Sequence, residues 1–164
     1  MRNIPTSTRT GTCPKISLGH KAFINTISKQ FNMQNAHGAS TPMGINVELD
    51  LAEDRGEKEL KDIQRYQTMI DSLMYEALAT RPDISFAVTA LCQYNSHPFT
   101  SHHTAAKRVL HYLKSTTDFQ HHFNNTGSNV QLTGYMDTDW ANNSPDRKSL
   151  GGNVFLFSKG AVSL

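Results

Sequence analysis

The sequence predicts an α+β protein in which helices come first and antiparallel strands follow. Between residues 63 and 115, apolar side chains recur every three or four positions, which is the spacing of amphipathic helices. After residue 116 the apolar positions alternate, and turn-forming runs at 124–129 and 142–146 interrupt them, which is typical of a strand meander. Because the two patterns occupy separate stretches of chain, they favour helices segregated from an antiparallel sheet.

The first third of the chain predicts one short strand and one helix. Residues 1–15 are rich in Thr, Ser, Arg, Gly and Pro and are expected to form a disordered leader. A strand is predicted at 16–18, and an amphipathic helix is predicted from His20 to about Asn32. The segments 1–14 and 44–60 have few apolar side chains to offset the entropy lost on ordering, so they are predicted to be the loosest parts.

Three helices are predicted next, over 63–79, from Thr80 to about Tyr94, and from Thr100 to 115. Thr80 is interpreted as the N-cap of the second, because Pro82 follows in its first turn, and Thr100 as the cap of the third. Leu78 falls on the apolar side of the first. The side chains expected to meet in the centre of this unit are Leu73, Leu91, Val109, Leu110 and Leu113.

Strands are predicted at 119–123, 131–137, 149–158 and 161–164, separated by turn-forming residues. An incomplete sheet of this kind has an exposed edge. We therefore expect the chain to self-associate through exposed strands, mainly within 149–164.

Composition excludes several classes of protein. The 164 residues contain no apolar run of about 18, so we expect no membrane span, and the first residues lack the apolar core of a signal peptide. Two distant cysteines exclude a disulfide framework, which favours a reducing, intracellular location. The net charge of +2 is too small to predict nucleic-acid binding by itself.

The last predicted helix has a basic side. Lys107, His111 and Lys114 recur at helical spacing opposite the apolar stripe, and Arg108 lies one step round. The row could follow a phosphate backbone, or it could be the solvated face of an amphipathic helix. The residues alone favour the solvated face, and the phosphate-binding row is kept as the alternative.

Asp137 and Asp139 lie two positions apart at the end of a predicted strand, so both carboxylates project from one face. Carboxylates at a strand end suit a divalent-cation site that cleaves phosphodiesters, although such a site needs more than two of them. From the residues alone, a strand that simply ends in Asp is the favoured interpretation.

Eight histidines invite a metal-binding interpretation, with His102 next to His103 and His121 next to His122. Neighbouring residues on a strand point to opposite faces, and no pair has a cysteine at a ligand spacing. Surface and packing roles are therefore favoured, and a histidine-rich metal-binding protein is kept as a third hypothesis.

Five motifs in order resemble the Pol polyproteins of copia-type LTR retrotransposons, over about residues 16–163. They are the stretch 16–31 followed by STPM at 40–43, YQTMIDSLMY with TRPDI at 66–84, the run containing AAKRVLHYLK at 102–114, GYMDTDWA at 134–141, and DRKS with GNVF at 146–155. Asp71 stands where the family has Gly, and an Asp buried in a helix seam would be costly without a partner.

The resemblance implies a division of residues 16–164 into three parts. It implies that 16–62 ends the reverse-transcriptase palm and that 63–117 is a helical thumb- or connection-like segment. Residues 118–164 would then be the first antiparallel strands of an incomplete ribonuclease H-like fold.

The same resemblance implies roles for individual residues. Asp137 would be the first catalytic, Mg²⁺-binding carboxylate of the ribonuclease H site, with Asp139 as a second candidate ligand. Lys107, Arg108 and Lys114 would contact an RNA–DNA hybrid or duplex.

The sequence also departs from the complete family pattern. The polymerase YxDD pair is absent, and the later ribonuclease H carboxylates of the family would fall beyond Leu164. We therefore expect a remnant of a Pol polyprotein that has no complete active site and holds no Mg²⁺. The alternative is a non-catalytic module that binds nucleic acid or a partner.

Overall fold

The computed structural model describes residues 15–44, 49, 58–124, 132–139, 150–157 and 160–163. Within these residues the elements are β1 (Lys15–Leu18), α1 (Lys21–Gln30), α2 (Ile63–Ala79), a 3₁₀ turn (Pro82–Ile84), α3 (Ser85–Cys92), α4 (Thr100–Ser115), β2 (His121–Asn124), β3 (Leu132–Asp139), β4 (Leu150–Phe157) and β5 (Gly160–Ser163). The mixed helix-and-sheet class predicted from the sequence is confirmed. The predicted leader and most of the segment 44–60 lie outside the described residues.

The core lies between the four helices. The five side chains predicted to face inward are all buried, and Ile24 and Ile27 of α1, with Phe31 just after it, join the same cluster. The three-helix unit predicted from the sequence is therefore confirmed, with α1 packed onto it as a fourth member. Leu78 is 70% exposed, so its predicted inward position is wrong. Asp71 is also exposed, which removes the expected cost of a buried carboxylate in α2.

Two helix caps differ from the sequence prediction. Thr80 ends α2 instead of beginning the next helix, because its hydroxyl donates to Oε1 of the buried Glu76 at 2.7 Å. Phe99, and not Thr100, is the N-cap of α4, because the Nδ1 of His102 accepts the backbone N–H of Phe99 at 3.0 Å. At Thr80 the backbone N–H donates to the carbonyl oxygen of Glu76, whereas at Phe99 the buried His102 ring takes the capping role that a local rule assigns to a hydroxyl.

The strands form two small antiparallel sheets. β1 pairs with β2, and the second sheet has the order β3–β4–β5. The pairing of β1 with β2 joins residues about 105 positions apart, which strand-by-strand periodicity cannot reveal. The described residues include no helix that is long and apolar enough to cross a membrane.

Truncation of a core leucine tests this packing. We expect Leu110→Ala to lower the free energy of unfolding by about 2–5 kcal/mol, because the side chain is 1% exposed and its loss leaves a cavity among the helices. Leu78→Ala removes the same atoms from an exposed position and should change stability by less than about 0.5 kcal/mol. Urea unfolding followed by circular dichroism measures both, and equal losses would contradict this core.

Candidate functional site

A buried guanidinium fixes the helix that carries the candidate basic residues. Arg81 follows α2, is 2% exposed, and donates to both carboxylate oxygens of Asp83, at 3.0 and 2.8 Å. It also donates to the carbonyl and the hydroxyl oxygen of Thr116, at 3.0 and 2.6 Å, just beyond the end of α4. We call Arg81, Asp83, Tyr112 and Thr116 the Arg81 network. It ties the α2–α3 turn to the C-terminal end of α4.

Tyr112 completes this network from α4. Its hydroxyl donates to Oδ2 of Asp83 at 2.7 Å, and the Arg81 guanidinium lies 5.3 Å from the centres of both the Tyr112 and Phe119 rings. Burial alone would raise the pKa of Asp83, but the hydrogen bonds from Arg81 and Tyr112, together with the charge of Arg81, hold that pKa below its ordinary value. The pattern at 80–83 predicts a helix start, but it does not indicate which partners Arg81 must find when it is buried.

Two of the three predicted nucleic-acid contacts bind the chain itself. The ammonium of Lys114 donates to the carbonyl oxygens of Met33 at 3.4 Å, of Ala36 at 3.2 Å, and of Gln34. Arg108 donates through Nη2 to the hydroxyl of Thr41 at 3.0 Å. These side chains hold the segment after α1 against α4, so this part of the helix is not a freely solvated face. The prediction that Arg108 and Lys114 contact nucleic acid stays a prediction.

Lys107 lies in a different environment, beside a second set of cationic groups. It is one helical turn from His103 on α4, and Arg65 approaches from the first turn of α2. The pKa of His103 is lowered, first by burial and then by the positive charges of Lys107 and Arg65, while Asp62 acts in the opposite direction. We call Arg65, His103 and Lys107 the cationic cluster. The sequence analysis missed Arg65, because only the packing of α2 against α4 brings it to this position.

The structure places Asp137 on β3, exposed, with Gly152 as its register partner on β4. Asp139 ends the same strand, and its side chain lies outside the described part of the molecule. Within the described residues, no group of three His, Cys, Asp or Glu side chains could hold a metal ion. The donors present there do not fit a two-ion Mg²⁺ site, which needs several converging carboxylates.

The described histidines have separate partners and do not converge. His102 is 1% exposed, stacks on Tyr94 with 4.0 Å between ring centres, and lies 3.0 Å through Nε2 from the carbonyl oxygen of Leu49. His121 accepts the backbone N–H of Ala161 at 2.8 Å, and His122 faces Ser17 at 2.9 Å. These contacts favour the packing roles that the sequence analysis preferred for them.

Two proteins of plant transposons are similar to this chain over most of its length. The chain is 35% identical over 161 residues to the retrovirus-related Pol polyprotein from transposon TNT 1-94 of Nicotiana tabacum, covering 94% of this chain and 12% of that protein. It is 33% identical over 148 residues to the Pol polyprotein from transposon RE2 of Arabidopsis thaliana, covering 90% of this chain and 10% of that protein. The chain belongs to the copia-type retrotransposon Pol polyprotein family. It spans about a tenth of the length of these Pol relatives.

A shorter protein is also similar to this copia-type chain. Secreted RxLR effector protein 161 of Plasmopara viticola is 40% identical over 98 residues, which cover 60% of this chain and 68% of that protein. No family model and no solved structure matches. The family resemblance drawn from the five motifs is confirmed, and the chain is a Pol remnant as predicted.

The Arg81 network predicts a dependence of stability on pH. Because the folded-state pKa of Asp83 is lowered, its ionised carboxylate stabilises the folded state. This stabilisation is fully present above the unfolded-state pKa of about 3.9 and is lost as the pH falls through the folded-state pKa. We expect Asp83→Asn to lower the free energy of unfolding by about 2–4 kcal/mol at pH 7, because Arg81 loses its charged partner. Below about pH 4, the free energy of unfolding of the variant should also fall less steeply with decreasing pH than that of the unchanged chain, because the variant has no carboxylate to protonate at this position.

Asp118→Asn is the matched control for this measurement. Asp118 pairs with Lys21 at 2.7 Å, but both side chains are exposed, so we expect a change below about 1 kcal/mol. Urea unfolding between about pH 2.5 and 7 measures both variants. Similar losses for the two, or an unchanged acid profile for Asp83→Asn, would contradict the role assigned to the Arg81 network.

Proposed function

We propose that this chain is a non-catalytic segment at the junction of the reverse-transcriptase and ribonuclease H regions of a copia-type Pol polyprotein, where it contacts nucleic acid through the cationic cluster. The order of a helical unit and then an antiparallel hairpin bearing Asp137 supports this position. The helices take the thumb- or connection-like role, and β3 and β4 are the first strands of the ribonuclease H-like fold.

One observation carries the nucleic-acid contact: the positive charges of Arg65 and Lys107 come together around His103, whose pKa they lower, where α2 meets α4. Neighbouring cations repel each other, and an anion between them relieves that repulsion. A phosphate group supplies this charge, and a duplex or an RNA–DNA hybrid supplies phosphates at regular spacing. Lys107 is thus the member of the predicted basic row that is best placed to meet a phosphate, since Arg108 and Lys114 are engaged within the chain.

Binding measurements with charge-reversed variants test the contact. We expect the chain to bind a short RNA–DNA hybrid weakly, with a slope of log affinity against log salt of about −2 to −3, because each phosphate engaged contributes about −0.9 on duplex DNA. Arg65→Glu with Lys107→Glu should abolish most of this binding. Fluorescence anisotropy between about 50 and 200 mM KCl measures it.

Lys29→Glu is the control for that experiment, because Lys29 is exposed near the end of α1. We expect it to leave most of the affinity and most of the salt slope intact. A second measurement follows His103 by NMR as pH is changed. A bound phosphate should raise the pKa of His103, so that binding takes up a proton and strengthens as pH falls from about 8 to about 5.5. Equal loss in both charge-reversed variants, or an unmoved His103, would contradict the proposal.

The proposal also predicts the absence of hybrid cleavage by this chain. A single carboxylate such as Asp137 cannot hold two Mg²⁺ ions about 3.5–4 Å apart, because Mg²⁺ needs several well-placed oxygen ligands. We expect no product when the purified chain is incubated with a labelled RNA–DNA hybrid and Mg²⁺ and the RNA is resolved on a denaturing gel. Magnesium-dependent cleavage that disappears in Asp137→Ala would show that the chain is catalytic.

A further inference from the structure

The guanidinium of Arg108 has a half-filled hydrogen-bonding edge. Its Nη2 donates to the hydroxyl of Thr41 at 3.0 Å, whereas its Nε is buried and has no hydrogen-bond partner. No acidic side chain in the described parts of the chain forms an ion pair with it. Arg81 shows the filled arrangement, because its Nε and Nη2 bind the two carboxylate oxygens of Asp83. The same edge of Arg108 therefore lacks the second oxygen of an anion.

Thr41 lies where that second oxygen can be supplied. It belongs to residues 33–43, which follow α1 and cross α4, and which we call the strap. The hydroxyl of Ser115 on α4 donates to the carbonyl oxygen of Ala39 in the strap at 2.7 Å. Thr41 itself is exposed, and its hydroxyl donates to the carbonyl oxygen of Met43 at 2.8 Å. The strap thus places an accessible threonine with its oxygen already on a guanidinium.

The residue after Thr41 is proline, and Thr-Pro is the acceptor pair of proline-directed protein kinases. Pro42 disfavours the helical conformation at Thr41 and favours an extended one, which is the conformation in which kinases bind their substrates. Among the residues that precede the six prolines, Thr41 and Ser144 carry a hydroxyl. Ser144 lies outside the described residues, so the geometric argument concerns Thr41.

We propose that Thr41 is a phosphorylation site of a proline-directed kinase and that Arg108 binds the phosphate. The kinase transfers the γ-phosphoryl group of ATP to Oγ1 of Thr41, the hydroxyl proton leaves, and ADP is released. Phosphothreonine carries a charge of about −1.5 to −2 at pH 7 and three acceptor oxygens. Two of these oxygens can bind Nη2 and Nε of Arg108 as a pair, as the carboxylate of Asp83 binds Arg81.

A phosphate carried on Thr41 fits this edge better than a free anion does. The buried Nε is closed to an anion arriving from solution, whereas a phosphate on Thr41 is attached to an oxygen that already contacts the guanidinium. Phosphorylation removes the hydrogen bond to the Met43 carbonyl, but the bonds gained are charge-assisted and stronger. The modification therefore fastens the strap to α4.

Incubation of the purified chain with ATP and a mitogen-activated protein kinase tests the site. In a Ser144→Ala background, we expect mass spectrometry to locate the phosphate on Thr41. Thr41→Ser should remain a substrate, and Thr41→Val should not be phosphorylated. Ser40 is the internal control, because it is exposed and adjacent but is not followed by proline. No incorporation, or incorporation at Ser40 in place of Thr41, would overturn the proposal.

Phosphorus NMR of the phosphorylated chain tests the role of Arg108. A bound guanidinium favours the dianion, so the second acid dissociation constant of the phosphate should be about 3- to 10-fold larger than in Arg108→Gln. Arg108→Lys should give an intermediate value, because lysine supplies the charge without the paired geometry. Lys29→Gln is the matched control and should behave like the unchanged chain, since Lys29 is an exposed cation on α1. Equal titrations of the unchanged chain and Arg108→Gln would show that Arg108 does not bind the phosphate.

Hydrogen exchange measures the effect on the strap. We expect the amides of residues 36–43 to exchange about 10-fold more slowly after phosphorylation, because opening the strap must then break the charge-assisted contact. This slowing should be absent in Arg108→Gln, and circular dichroism checks that each variant is folded. If Arg108→Gln does not fold, the comparison is made with Arg108→Lys, which should show a smaller slowing. Unchanged or faster exchange in the phosphorylated chain would contradict a fastened strap.

Discussion

The arrangement of the helices depends on the burial of one guanidinium. Arg81 gives up nearly all contact with water, and the free energy lost in doing so must be recovered from partners of fixed geometry. Asp83 supplies the compensating charge from two residues away, and Thr116 supplies acceptors from beyond α4. Because all of these bonds are needed together, the end of α4 has one favourable position relative to the α2–α3 turn. The remaining helical core packs around that constraint.

This fixed position of α4 divides its basic side chains into two groups. The end held by Thr116 brings Lys114 to the carbonyl oxygens that follow α1, where the ammonium replaces hydrogen bonds that water would otherwise make. Towards the other end, α2 brings Arg65 near Lys107 and His103, where the positive charges lower the pKa of His103 and Asp62 acts in the opposite direction. One helix therefore serves two purposes, because its two ends pack against different parts of the chain.

The strand region has a different balance of forces. The helices bury their apolar side chains against one another, whereas β3 keeps large apolar side chains in water on both faces. A sheet in this condition gains stability when its edge or its faces are covered. Asp137 on the same strand is also exposed, and the described residues contain no group of three His, Cys, Asp or Glu side chains that could hold a metal ion there.

The sequence by itself determined the order of elements, the helix at Ile63–Ala79, the inward positions of Leu110 and Leu113, and the family, because periodicity and contiguous motifs are local properties of the chain. The pairing of β1 with β2, the contact of Thr80 with the buried Glu76 carboxylate, the cap supplied by His102, and the approach of Arg65 to Lys107 were decided only in the tertiary structure. Each of these joins groups through burial or long-range contact. Burial changes which partner a polar atom must find, and no local pattern records that partner.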